Sequence, residues 1–197
     1  MPITSEETLA IFQDTGAYLH GHFLLTSGLH SPEYLQCALV LQHPTIAERL
    51  GRELANSLRP MIHEAPSLIV APAMGGLIIG HEVARAFGVP FVFTERDATR
   101  DMQLRRGFAI PPGSKAIVIE DVITTGGSTR EVIDVLTKLG CTTLAAGSIM
   151  DRSGGVADVG VSRAALATLS VQTFNADNCP MCAQGTPAVK PGSRPLG

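Results

Sequence analysis

Glu120 and Asp121 stand between an unbroken apolar run, Ala116-Ile117-Val118-Ile119, and a turn made of Thr124, Thr125, Gly126, Gly127 and Ser128. A run of that kind is how a strand buried on both faces of a parallel sheet reads. The C-terminal ends of such strands are where open α/β sheets bind ligands. Small side chains, hydroxyls and backbone N–H groups at the start of the following helix make a cradle for an anion. Two carboxylates beside it would repel a bare phosphate, so their partners are sugar hydroxyls or a bridging cation. The implied ligand is a sugar phosphate. The run has neither the lysine of GxxxxGK[ST] nor a GxGxxG spacing, which sets aside the ATP-motor and dinucleotide loops. Two adjacent acids more often mean a solvated loop; their place between a buried strand and a glycine turn argues against that here.

Three further stretches carry polar groups to the ends of expected strands. Residues 67–71 read as a buried strand followed by Pro72-Ala73-Met74-Gly75-Gly76, where two glycines let backbone approach a ligand and a helix through Ile78, Val83 and Phe87 begins. Residues 90–94 read as the next strand, and residues 94–107, TERDATRDMQLRRG, as a mobile loop. Its Arg96, Arg100, Arg105 and Arg106 offer guanidinium forks suited to phosphate oxygens, although charge alone also fits an ordinary solvated connection. Residues 142–150 form another strand, delivering Asp151-Arg152-Ser153-Gly154-Gly155 to its end.

The elements that position these groups follow from periodicity and caps. Thr4-Ser5-Glu6-Glu7 is a capping-box start for a helix to about Gly16, with Leu9, Ala10 and Phe12 toward a core. Residues 21–36 alternate short apolar runs with Gly and Pro, as a small β ribbon or hood does. Pro44 opens an amphipathic helix marked by Ile46, Leu50, Leu54 and Leu58, ending before Pro60. After the acid-bearing strand, Ser128 caps a helix carrying Val132, Val135, Leu136 and Leu139, closed by Gly140. Residues 161–171 form a last strand, and the Pro- and Gly-rich remainder an extended tail. The expectation is one α/β domain over 1–197: hood and first helix at 1–42, core at 43–171, tail at 172–197.

At 197 residues with 45% hydrophobic content the chain can bury a full core without disulfides or metals. A net charge of −3 gives no reason to expect nucleic-acid binding. The start, MPITSEETLA, is no signal peptide and no long apolar run appears, so a soluble, cytoplasmic protein without a membrane partner is expected. Cys37, Cys141, Cys179 and Cys182 do not form a secreted disulfide pattern. Only Cys179-Pro180-Met181-Cys182 has ligand-like spacing, and one CxxC lacks the second pair of zinc ligands unless histidines or another subunit supply them. His20-Gly21-His22 reads as loop polarity. The expectation is unmetallated thiols and no metal held by protein side chains, with a shared metal or redox pair as the alternative.

The EDVITTGGS run resembles the phosphoribosyl pyrophosphate (PRPP) signature of type I phosphoribosyltransferases. With LLTSGLHSPEYLQ, PAMGG, FTERD and DRSGG in the same order and spacing, most of the chain resembles the orotate branch of that family. The resemblance implies that family's α/β fold, a central parallel sheet flanked by helices under a small N-terminal hood. It implies transfer of phosphoribosyl from PRPP to orotate, with Mg²⁺ carried on PRPP, in de novo pyrimidine synthesis. By motif, PRPP would be bound by Arg96, Glu120, Asp121, Val122, Ile123, Thr124, Thr125, Gly126, Gly127 and Ser128, with Ala73, Met74 and Gly75. Glu120 and Asp121 would hold the ribose hydroxyls, residues 124–128 the 5′-phosphate. Arg152, Thr124, Tyr34 and Leu35 would contact orotate. Arg96 would reach the pyrophosphate, in a homodimer with shared sites, and Arg96 with Arg100 would serve a closing lid. Direct displacement without a covalent enzyme intermediate is expected. Departures are the absence of family lysines at Thr26 and Met74 and a Glu-Asp pair in place of Asp-Asp. A purine phosphoribosyltransferase and a non-catalytic PRPP-binding regulator remain the alternatives.

Overall fold

In the computed structural model, residues 2–25 and 27–191 are described. Helix α1 (Ser5–Asp14) starts at the expected capping box: the Thr4 hydroxyl accepts from the Glu7 amide while the Glu7 carboxylate accepts from the Thr4 amide. It buries Phe12 and Thr8; Ala10 is exposed, one position off the expected face. Strands β1 (Tyr18–Leu24) and β2 (His30–Leu35) pair antiparallel as the hood. The short α2 (Cys37–Leu41) leads into α3 (Pro44–Leu58), where Pro44 sits in the first turn and Leu50, Leu54 and Leu58 are fully buried.

The core alternates as expected: β3 (Leu68–Pro72), α4 (Gly76–Phe87), β4 (Phe91–Arg96), β5 (Met102–Leu104), β6 (Lys115–Ile123), α5 (Gly127–Lys138), β7 (Thr142–Asp151) and β8 (Arg163–Thr168). In spatial order the sheet runs β5-β4-β3-β6-β7-β8, all neighbours parallel except the edge pair β4–β5. From β3 the chain first proceeds outward to β4, then returns to place β6 on the other side. That reversal opens a crevice at the C-terminal ends of β3 and β6.

Period-two alternation divides the core. Ile69, Ile117, Ile119 and Ile149 pack on the α3–α4 side, while Leu68, Val70, Ala116 and Val118 pack with Val132 and Leu136 of α5. Ile79, rather than the 45% exposed Ile78, is the inward residue at the start of α4.

Two expectations change. Residues 94–107 are not an irregular loop but largely a hairpin. Asp97 closes its turn by accepting from the Thr99 and Asp101 amides, and Arg106 grips Glu95 with two bonds of 2.6 and 2.7 Å. The tail is not simply extended either. It forms α6 (Pro180–Ala183) and returns to the hood, where His30 and Phe174 exchange backbone bonds and Val189 bonds Leu24 and His22. Two strand-pairing opportunities on the hood edges are thereby used. Residues 192–197 of the Pro- and Gly-rich tail lie outside the described residues, as does Thr26.

Candidate active site

At the switch point the two helix starts lack side-chain caps. α5 begins after Gly126 in the left-handed region (φ 76°), where a Cβ would come within 2.7 Å of Val159. Only glycine fits that turn. Ser128 therefore lies inside the first turn instead of capping it, and among the described residues no side chain takes up the opening N–H groups. α4 likewise follows Gly75 without a side-chain cap. Open N–H donors and the positive helix end are the components of an anion site.

The acids above them do not act as one side-by-side pair. Successive strand residues face opposite ways, so Glu120 turns toward α5 and accepts from the Thr129 hydroxyl, while Asp121 turns toward the Gly75 loop and the Cys37 thiol. A Cβ on Gly75 would lie 2.5 Å from Asp121 Oδ1, so the second glycine-bearing loop presses directly on this carboxylate. Asp121 Oδ1 also accepts from the Val122 amide at 2.9 Å. Neither acid makes an ion pair among the described residues. Burial among protein atoms raises Glu120 to about 7, against the pull of Thr129 and with the push of Asp121. Burial raises Asp121 as well.

A cavity of about 600 Å³ opens here. Of the expected residues it brings together Glu120, Asp121, Val122, Thr124, Thr125, Gly126, Gly127, Ser128, Arg96, Arg152, Tyr34 and Leu35. It does not bring in Ile123, which is fully buried in the core, nor Ala73, Met74 and Gly75, of which Gly75 acts by contact with Asp121. Met74 is 80% exposed. Arg100 also stays out: its side chain lines a separate groove with Asp134 and Lys138, while its carbonyl accepts from Arg96 Nη1 at 2.8 Å. Arg96 lines the cavity of its own chain, so its placement requires no second subunit.

Arg152 is a half-buried cation of the cavity. Its Nε has no hydrogen-bond partner, and desolvation lowers its pKa. Tyr34 is raised first by burial and then by the Asp121 charge. The loop that carries Arg152 is fixed from beneath by Asp151, which accepts from the Ser153 amide and hydroxyl at 2.7 and 2.6 Å and from Arg163 at 2.6 Å.

Several contributors were not singled out from the sequence. Glu131 holds Arg96 at 2.6 Å, Thr129 bonds Glu120, and Val171 and Thr173 close the cavity from the returning tail. The first two continue the glycine turn by a few residues, so helical geometry offered a signal. The tail's return offered none. A second cluster also assembles away from the cavity: His22 is no loop residue but a buried strand residue, and it meets His30, Cys179 and Cys182.

Residues 39–164 match the family model described as a phosphoribosyl transferase domain. The chain is 52% identical over 191 residues to an orotate phosphoribosyltransferase of Desulforamulus reducens, covering 97% of this chain and 98% of that one. It is 53% identical over 194 residues to one of Pelotomaculum thermopropionicum, covering 98% and 100%. Among solved structures it resembles an orotate phosphoribosyltransferase of Aeropyrum pernix with a TM-score of 0.66 and 26% identity, over 81% of this chain and 92% of that one.

Proposed function

The chain belongs to the orotate phosphoribosyltransferase family, and from that premise we propose that its cavity joins the phosphoribosyl group of PRPP to orotate. The products are orotidine 5′-monophosphate and pyrophosphate, a step of pyrimidine nucleotide synthesis. The observation that carries the assignment of roles is that one cavity holds acids with no ion pair among the described residues, a helix start without a side-chain cap, and an arginine whose Nε has no hydrogen-bond partner there. Each leaves an interaction open that one part of the two substrates completes. Membership in the orotate branch removes the purine and regulator alternatives.

In this reading the amides of residues 124–128 receive the 5′-phosphate, and Glu120 and Asp121 the ribose hydroxyls. Arg152 receives the orotate carboxylate beside Tyr34 and Leu35, with Thr124 between the two substrates. Arg96, braced by Glu131, faces the pyrophosphate. Breaking the anomeric bond develops positive charge on the ribose and negative charge on the leaving group. Fixed acids near the first and donors near the second stabilise both, and one such donor is worth about 3 to 4 kcal/mol in a dry site. No side-chain nucleophile is needed, so displacement is direct. The carboxylate oxygens of Glu120 and Asp121 are hard donors that fit the Mg²⁺ carried on PRPP, and the ion would offset the charge of the departing pyrophosphate.

The outward position of Arg100 supports a homodimer in which it serves the neighbouring cavity. None of the four cysteines is in a disulfide, which fits a reducing cytoplasm, and among the described residues no helix is long and apolar enough to cross a membrane.

The test is a substrate panel. Purified protein with Mg²⁺ and PRPP, offered orotate, uracil, adenine, hypoxanthine and xanthine separately, should consume only orotate. Consumption of a purine instead would overturn the reading.

A further inference from the structure

His22 and His30 stand on one face of the hood hairpin as diagonal neighbours, since His30 lies opposite Leu24. Cys179 precedes α6 and Cys182 lies within it, and the backbone bonds between tail and hood bring this turn against the two histidines. One ligand atom from each of the four residues falls within 4.8 Å of all the others. His22 Nε2 is 3.5 Å from Cys179 Sγ and 3.8 Å from Cys182 Sγ, and His30 Nδ1 is 3.3 Å from Cys182 Sγ. A tetrahedral zinc ion with Zn–S of about 2.3 Å and Zn–N of about 2.0 Å has edges of about 3.3 to 3.8 Å. Those three edges match. The His22–His30 edge, 2.6 Å, must widen by about 0.7 Å to admit the ion.

The outer contact also suits a metal. His22 Nδ1 lies 2.7 Å from the Thr186 carbonyl, which can only accept, so Nδ1 carries the proton and Nε2 turns its lone pair to the centre. His22, His30 and Cys179 are buried, and Cys182 is the exposed member. With four protein ligands there is no open position for a reacting water, which marks a structural site and not a catalytic one. Without an ion, two buried imidazoles would be left with one shared proton and weak thiol donors.

We propose that His22, His30, Cys179 and Cys182 bind one zinc ion that staples the C-terminal segment to the hood. Binding releases the two thiol protons, and the two thiolates offset the ion's charge; the affinity accordingly drops as the pH is lowered. The staple lies outside the substrate cavity but joins two of its walls, the hood with Leu25, Leu29 and Tyr34 and the tail with Val171 and Thr173. It stands independently of the reaction assigned to that cavity.

The full chain, made without a polyhistidine tag in zinc-supplemented medium under reducing conditions, should hold one zinc per chain by elemental analysis. Replacement by Co²⁺ should give the intense visible bands of a tetrahedral centre and a near-ultraviolet thiolate-to-cobalt band. Cys182→Ser and His22→Gln should each weaken zinc binding at least tenfold, whereas His20→Gln, on the exposed neighbour, should not. Should those variants fail to fold, the cobalt spectrum of the unaltered chain decides. No binding of added Zn²⁺, an octahedral cobalt spectrum, or a Cys179–Cys182 disulfide in the reduced preparation would each overturn the proposal.

Discussion

Two sets of charges lie close together in the sheet, Ile123 at the end of β6 being in register with Asp151 at the end of β7, yet they are treated in opposite ways. Asp151 is 1% exposed and fully occupied: Ser153 and Arg163 supply its donors, and despite burial their bonds hold its carboxyl below the ordinary range. Glu120, Asp121 and Arg152 face a cavity and make no ion pair among the described residues, and burial moves each of them toward its neutral form. Where a desolvated charge finds its partner inside the chain, it shapes the fold. Where the partner is missing, an interaction stays open for a ligand to complete.

Breaking the satisfied set should have the largest effect. Arg163→Ala leaves Asp151 buried and unpaired, which should cost about 3 to 5 kcal/mol of stability in denaturant melts. A loss under about 1 kcal/mol would mean that Ser153 alone satisfies the carboxylate. The unsatisfied set should behave in reverse. Asp121→Asn should leave the melt nearly unchanged while lowering kcat by about 100- to 1000-fold, as removal of one preorganised electrostatic partner does. Intact nucleotide formation by that variant would refute the assigned role. Arg152→Gln is the milder test. Losing a charged hydrogen bond of about 1.5 to 3 kcal/mol should raise KM for orotate by about 10- to 150-fold and leave KM for PRPP alone. If the PRPP constant moved instead, Arg152 would serve the other substrate.

The same contrast explains what could be read from sequence. Signals that depend on neighbours in the chain were legible: the Thr4–Glu7 capping box, the four-residue spacing of α3 and the apolar run of β6 each formed where expected. The acids, the glycine turn and Arg152 were legible because an open α/β sheet delivers strand ends to one crevice. A hydroxyl near a helix start usually caps it, which makes Ser128 the natural candidate; here Gly126 in the left-handed region sets the start two residues earlier. That Arg100 lies outside the cavity of its own chain is not legible, because four arginines in one charged stretch look alike. Only the hairpin distinguishes Arg96, held by Glu131, from Arg106, held by Glu95 and stacked over Phe93. The meeting of His22 and His30 with Cys179 and Cys182 was illegible for a different reason. About 150 residues separate the pairs, and no local periodicity encodes a tail that returns to the hood.

The smallest effect is a pH dependence that separates the two sets of acids. Glu120 takes up its proton near pH 7 in the folded chain and near 4.5 when unfolded. Between these values the folded state binds a proton that the unfolded state has released, so stability falls as pH rises through this window and levels off above it. Asp151 has the opposite sign: its contribution is present above the ordinary Asp value and is lost as pH falls through its depressed folded value. In the absence of substrates, Tm should therefore decline from about pH 5 to pH 7, and Glu120→Gln should flatten that decline without altering the acid limb. Parallel Tm curves for the two proteins across the window would mean that Glu120 is solvated in the cavity, and the contrast between the two sets of charges would then rest on Asp121 and Arg152 alone.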